Sequence, residues 1–142
     1  MSVAVSINDE TNTSFNFNRL TFIKAALDLK YVSEGSIDFT FVDDDYMISL
    51  HKTYLNDATQ TDIITFNLES SIKPLGDIYI CVDEAKRNAD HLKTSFENEI
   101  KHLILHGILH LIGYTDYNPF EKTYMIDEQT RLLTLIQQSK VQ

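Results

Sequence analysis

"TSFENEIKHLILHGILHLIGYTD", residues 94–116, decides how the rest of the chain is read. Thr94 and Glu97 form a capping-box pair ahead of an apolar run, and Gly113 stands where a helix stops, so the stretch predicts a long helix. The run holds three of the chain's five histidines, His102, His106 and His110, each four residues after the last. Residues four apart share a helix face, so neighbouring imidazoles in this series can address one point. All three cannot, because His102 and His110 would stand roughly 12 Å apart along the axis at about 1.5 Å per residue.

A core helix that happens to carry histidines is one reading of this pattern. A metal site is the other, and the end of the stretch favours it. Gly113 follows His110 by three residues, where a glycine can take the left-handed conformation that turns the chain back. Asp116 then falls ten residues after His106. The resulting H-x-x-x-H-x-x-G-x-x-D keeps the ligand spacing and the glycine of the long zincin motif. His106, His110 and Asp116 would leave an open position on one zinc ion for water, as catalytic rather than structural sites do. Such an ion lowers the pKa of its water and polarises the bond to be cut. The same donors suit non-haem iron, although usually on a β-barrel with more strands than this chain offers. A zincin peptidase needs glutamate directly after its first histidine, and here that residue is Gly107.

The surrounding composition sets bounds. The 142 residues suit one compact domain, 1–142, and 43% hydrophobic with 23% charged residues is ordinary for a globular protein. A formal net charge of -9 argues against a non-specific nucleic-acid binder, which needs a basic surface. It does not exclude a nuclease, because a bound cation can hold a phosphate against an acidic average. A single cysteine, Cys81, allows no internal disulfide and reads as an inert buried thiol. No apolar run is long enough to span a membrane, and "MSVAVSINDE" carries no basic and apolar leader, so a cytoplasmic location is expected.

Strands and helices are mixed without strict alternation. "SVAVSI" and "SIDFTFV" alternate as strands, and "TDIITFNL" and "GDIYICV" are β-branched strands around a turn with Pro74. Helices are expected at "NRLTFIKAALDLKYV", "DDDYMISLHKTYL" and "DEAKRNADHL", and at "NPFEKTYMIDEQTRLLTLIQ" with Asn118 as cap and Pro119 in first position. Met125 lies within that last helical run and reads as core. The expected architecture is α+β, a small mixed sheet of about four strands packed with helices, the long histidine-bearing helix lying at the metal site. His102, Asp62 and Asp77 are candidates to orient ligands from beside the site.

"HGILHLIGYTD" resembles the H-G-x-L-H-L-x-G-Y-D-H signature of the YbeY family of zinc-dependent endoribonucleases, matching at His106, Gly107, Leu109, His110, Leu111, Gly113 and Tyr114. "YLNDATQTDIITF", residues 54–66, is similar to that family's Y-R-x-x-D-x-x-T-D-V-L-S-F, matching Tyr54, Thr61, Asp62 and Phe66. "LGDIYI", residues 75–80, resembles its L-G-D-I stretch, and "FVDDDYMISL" its acidic lead-in, so the likeness runs from about Phe41 to Met125. The resemblance implies a single-strand-directed endoribonuclease of α+β fold that acts on ribosomal RNA, notably at the 3′ end of the small-subunit RNA, and in ribosome quality control. It implies zinc, one per chain, on His106 and His110. Asp116 stands where the family keeps histidine, and Leu55 where it usually has arginine. Lys52, Lys73 and Arg87 are the candidate replacements for that cation. A zinc hydrolase of another substrate, such as a peptidase, and a non-catalytic ribosome-assembly factor are the alternatives.

Overall fold

In a computed structural model, residues 3–55, 61–68 and 74–139 are described. Nine elements follow one another: β1 (Ala4–Asp9), α1 (Arg19–Leu29), β2 (Ser36–Val42), α2 (Asp44–Leu55), β3 (Ile63–Asn67), β4 (Leu75–Cys81), α3 (Val82–Leu92), α4 (Phe96–Leu111) and α5 (Pro119–Ser139). Each corresponds to an element expected from periodicity, and the class is α+β. The four strands form one sheet in the order β1-β2-β4-β3. β1, β2 and β4 run parallel, and β3 pairs antiparallel with β4 at the edge. No described helix is long and apolar enough to cross a membrane.

The pleat divides the sheet residues between two faces. Ile37, Phe39 and Phe41 of β2 and Ile78 and Ile80 of β4 join the main core with α1, α4 and the buried side of α5. The opposite face is covered by α2, where Val42, Met47, Ile64 and Cys81 make a smaller cluster. Burial pushes the Cys81 thiol up to about 11, which fits the inert role expected of it.

α4 is the central helix. Between Leu103 and Leu111 every residue is buried except His106 and His110. A helix that is apolar on nearly every side belongs in a core. The half-buried remainder is a single line that continues back to His102 at helical spacing. Its start differs from the expected capping box. Ser95, not Thr94, is the N-cap, and its hydroxyl accepts from the Asn98 backbone N–H at 2.9 Å. Thr94 Oγ1 instead accepts from the Asn98 side chain at 3.0 Å. Its end is as expected: Gly113 takes φ 111°, and the Tyr114 N–H reaches back to the Leu109 carbonyl at 3.0 Å. α5 opens on Pro119, with the Asn118 side chain accepting from the Glu121 N–H at 2.9 Å.

Candidate functional site

His106 and His110 project from consecutive turns of α4 with ring centroids 6.4 Å apart and ring planes within 7° of parallel. Nδ1 of His110 is buried and has no hydrogen-bond partner among the described residues. Nδ1 of His106 stands 3.1 Å from the carboxamide nitrogen of Gln129 on α5. Burial holds His106 below its ordinary pKa, against the pull of Asp116 and Asp62, while His110 pushes it down further. The imidazole is therefore neutral at pH 7, the form that donates a lone pair to a metal.

Asp116 lies on the irregular stretch between α4 and α5, near enough to His106 for its charge to act on that ring. The stretch is held on both sides. Tyr114 stacks on Tyr124 of α5 at 5.6 Å, and its hydroxyl accepts from Lys30 Nζ at 2.7 Å. The Tyr117 backbone N–H is held by the Glu121 carboxylate at 3.2 Å. Asp116 itself is exposed, and among the described residues no three His, Cys, Asp or Glu side chains already converge to hold a metal ion.

Asp62 and Asp77, similar on paper as strand-edge acids, are separated by the sheet. Asp62 precedes β3 on the α4 side and is half-buried. Its carboxylate accepts from Asn88 Nδ2 of α3 at 3.0 Å, and burial raises its pKa despite that bond and the attraction of His106. Asp77 points the other way. It pairs in register with Asp38 of β2 and with Phe66 of β3, on the face that turns away from α4, and burial and Asp38 raise its pKa. Its expected place beside the histidines is corrected by the two-residue period of β4, which gives the α4 face to Gly76, Ile78 and Ile80. His102 is near the site without being beside His110. Burial lowers its pKa, and the Gln129 side chain acts on it the other way.

Three residues of this region escape a reading by motif. Asn88 bridges Asp62 and Glu99, donating to Glu99 Oε2 at 3.3 Å. Glu99 lies on the histidine line of α4, three residues before His102, and is buried with a raised pKa through loss of water. Gln129 is a polar residue on the buried stripe of α5 that also carries Met125, Leu132 and Leu133, and that interruption of the stripe is the signal that marks it.

Of the three cations expected to replace the family arginine, Lys52 and Arg87 lie among the described residues. Leu55 ends α2 with its side chain 53% exposed, and Lys52 is exposed on the same helix. Arg87 is engaged by Asp44 at 2.6 Å and Glu84 at 2.6 Å. Lys73 lies outside the described residues, as does the 56–60 part of the Tyr54–Phe66 likeness.

Comparison with known proteins places these features in a family. The family model described as endoribonuclease YbeY matches residues 5–137. The chain is 38% identical over 103 residues to an endoribonuclease YbeY of Flavobacterium psychrophilum, covering 72% of this chain and 74% of that one. It is 34% identical to that of Karelsulcia muelleri, covering 89% of each chain, and 32% identical to that of Flavobacterium johnsoniae, covering 92% of this chain and 96% of that one. In fold it is similar to the solution structure of TM1509 from Thermotoga maritima, with a TM-score of 0.62 and 22% identity over 92% of this chain and 85% of that chain. The chain belongs to the endoribonuclease YbeY family.

Proposed function

We propose that this protein is a zinc-dependent endoribonuclease that cuts single-stranded RNA, with His106, His110 and Asp116 holding one zinc ion per chain. The observation that carries the reading is the histidine line of α4, the only part of Leu103–Leu111 left unburied, set beside an acidic residue in a chain of this family. The donors fit the ion. Two neutral imidazoles and one carboxylate are a usual set for catalytic zinc. Nδ1 of His110 is buried and Nδ1 of His106 faces Gln129, so Nε2 is the nitrogen through which each ring would ligate once its proton sits on Nδ1. When bound, zinc supplies Lewis acidity and a water of lowered pKa.

The chain's own residues prepare that site. Burial keeps His106 unprotonated, so no proton must leave before ligation. Gly113 turns the backbone, and Tyr114, locked to Lys30 and Tyr124, fixes where the Asp116 stretch begins. An aspartate in the third position makes the donor set one charge more negative than three histidines would. The substrate in this reading is ribosomal RNA of the small subunit, near its 3′ end and in ribosome quality control, and the setting is the cytoplasm.

Purified protein should cleave single-stranded RNA in a metal-dependent way, and His106→Ala should lower the rate by ~100-fold or more, given the scale of metal-assisted catalysis. RNA left intact by zinc-loaded wild type would remove the nuclease reading. A non-catalytic assembly factor is the second reading, favoured by the exposed Leu55 and by the engagement of Arg87 with Asp44 and Glu84. It predicts zinc binding and ribosome association with no cleavage. A peptidase is disfavoured by Gly107, whose position packs against Ile78 and Ile63 of the sheet and has no room for a catalytic carboxylate.

A further inference from the structure

Among the described residues only two polar or charged side chains are buried, Glu99 and Gln129. Gln129 is 7% exposed and shares a cleft with two histidines of α4, His102 and His106. Its nitrogen is 3.1 Å from His106 Nδ1, and His102 lines the same cleft, near enough for the Gln129 side chain to act on its pKa. Glu99, His102, His106 and Gln129 line one cleft on this flank of the helix.

A carboxamide is a two-sided group: its NH2 only donates and its oxygen only accepts. With the nitrogen toward His106, Nδ1 must be an acceptor, and the ring proton of the neutral imidazole then sits on Nε2. That tautomer has no lone pair for a metal at Nε2. A half-turn of the amide brings the oxygen to Nδ1. The proton then rests on Nδ1, Nε2 is free, and the amide NH2 is offered to an unprotonated nitrogen of His102. The two orientations fill the same volume, so packing does not choose between them, and the histidine protons do.

We propose that Gln129 is a positioning residue that sets the ligand tautomer of His106, with His102 holding the far end of the same amide. The inference rests on the zinc reading of His106 given above. In the zinc-bound protein the Gln129 oxygen accepts from His106 Nδ1–H, and the amide NH2 donates to His102. His102 thereby acts through Gln129 without ligating, which gives the third histidine of the helix a role its distance from His110 denies it.

Zinc affinity by chelator competition tests this without any RNA. Gln129→Met keeps the volume but removes the acceptor, and should weaken zinc by 10–100-fold, the usual effect of losing such a partner. Gln129→Glu can only accept from Nδ1–H, so it should bind zinc at least as tightly as wild type. Ring nitrogen shifts of zinc-loaded protein should show His106 protonated at Nδ1 in wild type and in Gln129→Glu. A folded Gln129→Met that binds zinc as wild type does overturns the inference and leaves the zinc reading standing. Should Gln129→Met not fold, Gln129→Glu decides alone, and a tenfold weaker affinity overturns the proposal. Wild type that binds no zinc overturns both.

Discussion

Gly107 and Ile78 meet with no space between them: a β-carbon on Gly107 would fall 2.9 Å from Ile78 Cδ1 and 3.0 Å from its Cγ2. The glycine beside the first site histidine is thus a packing residue. It lets α4 lie directly on the sheet at Ile78 and Ile63. Gly107→Ala sets a steric loss of about 1–3 kcal/mol against a helix-propensity gain of about 1 kcal/mol. Because Ile78 is fully buried, steric loss should win, and the urea midpoint should fall. An unchanged or higher midpoint would show that α4 can shift freely on the sheet.

Removing metal should lower stability, since the site's donors come together only in the folded chain. At a zinc concentration 100 times Kd the gain is about 2.7 kcal/mol. Thermal unfolding with zinc and with a chelator should differ accordingly in wild type, and the difference should vanish in His110→Ala and shrink in Asp116→Ala. Asp116→His should keep it. A full zinc effect in Asp116→Ala would take Asp116 out of the ligand set.

Glu128 links α5 to the segment after α1 and makes stability depend on acid. Arg131 binds both its oxygens at 2.7 Å, and Lys30 adds a bond at 2.6 Å. The bond to Arg131, against some burial and with help from Lys30, holds its carboxyl down to about 2. A depressed carboxylate stabilises the fold above its unfolded value of about 4.3, and that contribution is lost as pH falls through the folded value. Glu128→Gln should therefore be less stable than wild type by about 1–3 kcal/mol at pH 7, the scale of hydrogen bonds to charged groups. The two curves should converge between about pH 4.3 and pH 2. Parallel curves across that range would assign the loss to packing instead.

Cys81 should be silent to thiol reagents in the native protein. Its side chain is fully buried, and burial raises its pKa to about 11, so little thiolate exists at pH 8. Titration with a disulfide reagent should show no reactive thiol before urea and one after it. Rapid native reaction would mean that the α2 face opens.

Much of this molecule is legible along the chain because its signals are local. The period of α4, the positive-φ demand at Gly113 and the Asn118–Pro119 start of α5 each depend on residues within a few positions, and each is found in the structure. Helix rise adds that the three histidines cannot all address one point. The capping box slips by one residue because Ser95 and Thr94 offer equal hydroxyls, and only the geometry of the turn selects Ser95.

What pairs across elements was decided by tertiary structure. Asp62 and Asp77 are both acids beside β-branched strands, and only the strand pairing puts one near His106 and the other against Asp38. Nothing in the spacing of α5 tells that Gln129 will meet His106, because the rotation of one helix against another is set by side-chain packing over the whole interface. The chain by itself determined which side chains can do chemistry and on which helix face they stand. Packing, with its demand that buried polar groups find partners, decided which neighbours tune them.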